Sequence, residues 1–413
     1  MKIVQILGHN PNWNVEAFTQ QNIGDEFLIT AISFGNKFAI NKRVAPILDK
    51  SMLDLQFYGQ KNSGHLSKGK LSDFDFHPAR FLNDDEATNI RTNSCIEKAI
   101  EYQISLGFKK IIIPHYYEDN YIAGIISTIK VINKYLKSNK KDGIEYFMTL
   151  PLAYDIIRNQ DNVENLLLEL TDMSIIFDGY FVVCENKPEQ GHKISNDIKL
   201  ITNLSKVLRV LKYQGFKTIY GYANWDAIFF LAQTDIDYIT IGTYENLRNF
   251  SIKRFTEDIS GGASEGYYFS EKLLNMIRAK DLINIRANGM IGTIKNEHNI
   301  FSDVILKENY IWNIHKPDVN KNYLLSISSL LKKISTIPDI KDRIIYVLFL
   351  IQEAIDNYQR LDDNYVVLQS EGRNYHLDTW LMYLLKTIQM KPDEFYTIYK
   401  KSLIVSSQKL AHN

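Results

Sequence analysis

Cysteine is nearly missing from this chain. Cys95 and Cys184 are the only two in 413 residues; they form no CxxC pair, and two thiols alone build no cysteine zinc site. That scarcity points to a reducing compartment. An excess of charge is also lacking: 48 Lys and Arg balance 48 Asp and Glu. No global field therefore favours nucleic acid or an anionic membrane, although a local basic groove stays open. Long hydrophobic runs are absent, and the longest, Ile344 to Ile351, is far too short to span a bilayer. The apolar run between Met1 and Trp13 is short and ends at Gly8, unlike a secretory signal. The expectation is a cytoplasmic, soluble protein with no membrane partner. Enrichment in Ile, Lys, Asn, Tyr and Phe suggests an AT-rich bacterial genome.

Reaction-naming motifs are missing too. No GxSxG elbow, Walker loop, HExxH pair or EF-hand loop occurs. Ile32-Ser33-Phe34-Gly35 is no dinucleotide fingerprint, which disfavours a doubly wound open sheet. No cofactor is therefore assigned.

What is there is a repeat. Gly107-Phe108-Lys109-Lys110-Ile111-Ile112-Ile113 and Gly215-Phe216-Lys217-Thr218-Ile219-Tyr220 each follow an amphipathic run and open an apolar strand. Glycine suits a helix C-cap, phenylalanine packs back on the last turn, and the β-branched run suits a buried parallel strand. Eight strands are expected at 27–33, 44–49, 110–114, 144–150, 179–184, 218–222, 238–242 and 282–286, most followed by helices. That count predicts an α/β fold, a (β/α)8 TIM-like barrel with a C-terminal α-helical bundle. The barrel is expected over 1–290 with a polar insertion at 60–89, a loop-rich connector over 291–322, and a helical domain over 323–413. Helices there are marked by stripes such as Ile340, Ile344, Leu348, Ile351 and Ile355.

In such a barrel, function lies at the carboxyl ends of the strands. Gly242, Thr243, Tyr244 and Arg248 follow one strand. A glycine would admit a ligand to the backbone, Thr243 would cap a helix, and free N–H groups would attract an anion. Arg286 lies at the next predicted strand end. Glu185 and Glu245 are candidate acid–base carboxylates, with an ion pair to Lys187 and a helix-end charge as their plain alternatives. His115 reads as a proton shuttle or as a hydrogen-bonded structural ring. Asp49 qualifies by its strand-end position alone. Tyr222, Asn224 and Trp225 would stack and bind a flat sugar or base, against core packing of Trp225. If Asp73-Phe74-Asp75-Phe76-His77 is extended, Asp73, Asp75 and His77 share a face that would hold a divalent metal; a solvated edge is the simpler account. The set has no further ligands, so no metal site is assigned. Gly261 to Gly266 reads as a loop.

At the level of fold only, this layout is similar to barrel enzymes that act at glycosidic or nucleobase bonds, including the transglycosylases that exchange bases in transfer RNA. Their zinc site uses several cysteines, which this chain lacks. The functional expectation is a barrel hydrolase or transferase acting on an anionic sugar- or nucleotide-like ligand, either a small molecule or nucleic-acid-derived. The alternative is a non-catalytic ligand sensor whose C-terminal helices dock a protein partner.

Overall fold

The computed structural model describes residues 1–59, 69–81, 88–257 and 266–411. Its central element is a ring of eight strands: β1 Lys2–Leu7, β2 Glu26–Thr30, β3 Ser51–Asp54, β4 Lys110–Ile113, β5 Glu145–Leu152, β6 Gly179–Cys184, β7 Lys217–Ala223 and β8 Tyr238–Gly242. Their order is β3-β2-β1-β8-β7-β6-β5-β4, and every hydrogen-bonded pair is parallel. Pairing of β1 with both β2 and β8 gives it the place a closed ring requires. β3 and β4 face each other across the remaining seam, where Tyr117 N–H donates to the Tyr58 carbonyl just past the strand ends at 3.4 Å. This is a (β/α)8 barrel. Helices cover its outer face, so β1, β2, β4 and β6 are buried almost throughout and carry near-continuous apolar runs.

The repeated Gly-Phe motif behaves as its chemistry requires. Gly107 and Gly215 adopt φ of 85° and 87°. Phe108 N–H returns to Gln103 C=O, and Phe216 N–H to Leu211 C=O, closing the helices before β4 and β7.

Two strand assignments are corrected, and one strand was missed. Residues 44–49 are not a strand; Ala45–Lys50 is a 3₁₀ helix with Pro46 at its start, and β3 begins at Ser51. Proline fixes φ and removes a ladder donor, which favours the turn. Residues 282–286 are not a strand either but part of the helix Asp281–Ala287. Leu282 and Ile285 are buried while Ile283 is 70% exposed, a three-residue period rather than alternation. The missing eighth strand is β1, whose apolar run is interrupted by buried Gln5.

After β8 the chain forms an antiparallel hairpin, β9 Tyr267–Ser270 and β10 Asn275–Arg278, then the helices Pro317–Ser335, Ile340–Asp363, Leu377–Thr387 and Pro392–Ala411. These helices pack on the barrel. Trp380 meets Phe229 at 5.4 Å between centroids, and Arg343 donates to Leu231 C=O at 3.1 Å while pairing with Asp235 at 2.9 Å. Among the described residues, no helix is long and apolar enough to cross a membrane. Of the polar insertion, Ser63-Gly64 and Asp84-Asp85-Glu86 lie outside the described residues, as do Gly261 to Glu265 of the glycine-rich run.

Candidate functional site

The short strand β3 ends in a carboxylate, Asp54, which is 1% exposed. The chain then turns sharply through Gln56 at φ 57°, a left-handed conformation unusual for a residue with a side chain. The turn points Gln56 N–H back at Asp54 (2.9 Å) and lets Tyr58 OH reach the same carboxylate (3.1 Å). A third donor comes from the opposite wall. Tyr222 on β7 also has positive φ, 53°, at a register shift between Tyr220 and Ala223. That bulge directs its hydroxyl across the barrel to Asp54 at 2.7 Å. Gln56 Nε2 donates to the Tyr222 oxygen at 2.7 Å, completing the network.

Burial raises the Asp54 carboxyl to about 6, against the opposing pull of its Tyr222, Gln56 and Tyr58 donors and of Arg254. Both tyrosines are pushed well above their ordinary range, chiefly by burial, and remain donors. Strained backbone at two points that serve one carboxylate is a pattern that clusters at functional sites.

Glu185 follows β6 directly and is 2% exposed. Its carboxylate accepts from Tyr117 OH at 2.6 Å and lies 3.3 Å from Lys187 Nζ. The expected ion pair therefore exists, together with a shorter tyrosine bond. Between the two carboxylate networks stands Phe250. Its backbone bridges to Glu185, and its ring contacts Tyr58 at 4.8 Å, Tyr222 at 5.8 Å and Tyr117 at 6.1 Å. Phe255 backs it against Tyr58 at 5.1 Å. The chain after β8 thus lays an aromatic plug into the barrel mouth.

The same chain borders a narrow cleft beside the mouth, lined by Thr243, Tyr244, Glu245, Arg248, Tyr267 and Tyr323 among others. Arg248 lies 4.2 Å over the Tyr323 ring, and Tyr323 OH donates to Asn224 Oδ1 at 3.2 Å. Glu245 pairs with Lys193 at 3.0 Å. Four of the expected ligand-binding residues, Thr243, Tyr244, Arg248 and Asn224, are therefore gathered near one tyrosine.

Other expectations change. A Cβ on Gly242 would lie 2.2 Å from Leu247 Cβ, so glycine there admits the protein's own backbone rather than a ligand. Thr243 caps no helix: the helical turn is the three-residue Glu245–Leu247, preceded by Tyr244 and without a side-chain cap. Arg286 lies on a helix away from the barrel strands and donates to Leu306 C=O at 2.7 Å. Asp49 is exposed before β3, at the opposite end of the barrel from the mouth; the strand-end carboxylate is Asp54. His115 is 1% exposed, and its ring nitrogens face the carbonyls of Tyr116 (2.8 Å) and Ile125 (3.2 Å), the structural alternative. Trp225 is wholly buried against Phe269 at 5.9 Å, the core-packing alternative. Tyr222 serves Asp54 rather than stacking at an open surface.

Asp73, Asp75 and His77 do not share an extended face. Asp73 ends a 3₁₀ turn, Asp75 is exposed, and His77 is buried 4.9 Å from the Phe57 ring. Among the described residues, no group of three or more His, Cys, Asp or Glu is arranged to hold a metal. Cys184 is buried, and burial pushes its thiol well up, as for an inert apolar side chain.

Sequence reasoning passed over Asp54, Tyr58, Tyr117, Phe250 and Arg254. Pro46 was the available signal for Asp54, since moving the strand past the proline leaves Ser51 to Asp54 as the apolar stretch. Nothing in the sequence marks the bulge that turns Tyr222 inward.

No family model and no curated protein matches this chain. Among solved structures, a glycoside hydrolase family 30 subfamily 8 xylanase, Xyn30A, from Clostridium acetobutylicum aligns with a TM-score of 0.33 at 9% identity, covering 62% of this chain and 70% of the xylanase. The barrel assignment rests on strand pairing, not on this likeness.

Proposed function

We propose that this protein is a barrel enzyme of the hydrolase or group-transfer type, acting on a glycosidic or nucleobase bond of an anionic sugar- or nucleotide-like molecule. The observation that carries the reading is Asp54. A carboxyl raised to about 6, held by three donors at a strand's carboxyl end, is suited to give up a proton near neutral pH. Glu185, one strand end beyond β5, is the second carboxylate, positioned by Tyr117. In this assignment Asp54 protonates the leaving group and Glu185 activates water or attacks the sugar carbon. Phe250 covers both, so substrate entry displaces it.

The test is turnover of a panel of aryl glycosides and nucleosides by wild type, Asp54→Asn and Glu185→Gln. Loss of a general acid or base lowers the rate about 10²–10⁴-fold. Wild-type turnover with full activity in both variants would refute the assignment. No turnover across the panel would favour the ligand-sensing reading. That second reading has its own support: the plug closes the mouth, and the last helix exposes Tyr396, Ile398, Leu403 and Ile404 as a surface for a protein partner.

A further inference from the structure

Among the described residues, the buried lysines and arginines are Arg248, Lys321 and Arg343. Two have the counter-charge that burial demands. Lys321 Nζ meets Glu16 at 3.0 Å, and Arg343 meets Asp235 at 2.9 Å with backbone carbonyls completing its fork. Arg248 is different. It is 8% exposed, it pairs with no carboxylate among the described residues, and its Nε finds no acceptor there. Tyr323 supplies a cation–π contact at 4.2 Å and a side-chain hydrogen bond, and neither replaces an ion partner.

A second orphan belongs to another residue that lines the same cleft. Thr243 Oγ1 is a hydroxyl on a residue 1% exposed, and it too has no hydrogen-bond partner among the described residues. The nearby carboxylate does not fill the gap, because Glu245 is engaged by Lys193. Arg248 Nε and Thr243 Oγ1, both buried and without a hydrogen-bond partner among the described residues, therefore belong to residues that line a single cleft.

We infer that this cleft is a binding site for an anionic oxygen group, a carboxylate or a phosphate, with Arg248 as its cation and Thr243 as its hydroxyl ligand. Its role as the substrate's anchor rests on the enzyme reading above; the binding itself does not. The site lies on the chain segment that carries Phe250, so an anion held there sits beside the plug over Asp54 and Glu185.

The experiment is thermal unfolding in chloride buffer of matched ionic strength, with inorganic phosphate in one arm and glucuronate in the other, on wild type, Arg248→Met and Thr243→Val. Ligands that bind only the folded state raise Tm in proportion to their affinity. Wild type is expected to rise in at least one arm. A rise with phosphate that Arg248→Met loses points to a phosphorylated ligand, and a rise with glucuronate that it loses points to a sugar acid; a rise shared equally by wild type and Arg248→Met is general salt stabilisation and overturns the proposal. Arg248→Met keeps an unbranched apolar stem while removing the buried charge together with its cation–π contact on Tyr323. It is expected to match or exceed wild-type Tm without anion, and to bind the anion at least about tenfold more weakly. Thr243→Val should also fold as well as wild type and weaken binding. An Arg248→Met protein with lowered Tm would mark a merely structural arginine and overturn the proposal. So would an unchanged wild-type Tm in both arms. Neither result bears on Asp54 and Glu185, whose test is turnover.

Discussion

Asp54→Asn separates the ionisation of one carboxyl from everything else in the barrel. A buried acid whose carboxyl is raised from 3.8 to about 6 binds its proton more tightly folded than unfolded. Its contribution is therefore most favourable below about pH 4, declines as pH rises from about 4 to 6, and stays constant above. The loss amounts to about 3 kcal/mol, at 1.36 kcal/mol for each pH unit. Unfolding entropy of about 2.1 cal/mol/K per residue gives a chain of 413 residues about 0.9 kcal/mol per degree. The Tm change is then about 3 °C. Asparagine is nearly isosteric, still accepts from Gln56 N–H, and does not ionise. Measured by circular dichroism or calorimetry, the Tm of the variant minus that of wild type should rise by about 3 °C between pH 4 and pH 7. Asp226, also raised to about 6 by burial, is present in both proteins and cancels. Parallel curves over that range would show that Asp54 is not perturbed, and the acid assignment would fail with it.

Other perturbations test neighbouring parts of the account. Phe250→Ala removes the aromatic plug and should cost about 3–5 kcal/mol in urea unfolding, while raising turnover if displacement of Phe250 limits entry. Gly242→Ala places a methyl against Leu247 and should lower stability by about 1–3 kcal/mol whether or not a ligand is present; wild-type stability would contradict the close approach. Deleting residues 337–413 strips Trp380 from Phe229 and Arg343 from its carbonyls, so the truncated protein should aggregate; a soluble product with unchanged Tm would show an independent tail. Glu185→Gln should keep the wild-type fold by circular dichroism, since Tyr117 OH still finds an oxygen acceptor there.

The barrel was legible because buried parallel strands and their helix caps leave local marks. Gly107 and Gly215 announce helix ends, and Ile111 to Ile113 announces a strand covered on both faces. Strand identity was less secure. Pro46 turns an apolar stretch into a 3₁₀ helix, and Ile283 makes a helix resemble a strand until its burial is known. Those two errors and the missed β1 left the eighth place in the ring wrongly filled. The site was read in fragments. Glu185 stands at a strand end where its position in the sequence suggested, and Arg248 and Thr243 lie in one cleft. Asp54, Tyr58 and Tyr222 are joined only by the closure of the ring, which brings residues 168 positions apart to a single hydrogen bond. No local pattern encodes that encounter. Phe250 was equally hidden, because an aromatic after a strand reads the same whether it lines a core or plugs a mouth.

Under the proposed function, Asp54 donates a proton at the barrel mouth. The most direct test of that step is the pH dependence of kcat/KM for the best substrate of the glycoside and nucleoside panel, in wild type and Asp54→Asn. A general acid must be protonated to act, so wild-type kcat/KM should fall as pH rises through about 6, the value to which burial raises this carboxyl. Asp54→Asn should lose about 10²–10⁴-fold and show no such limb. A profile that is flat from pH 5 to 7, with activity retained in the variant, would contradict the account.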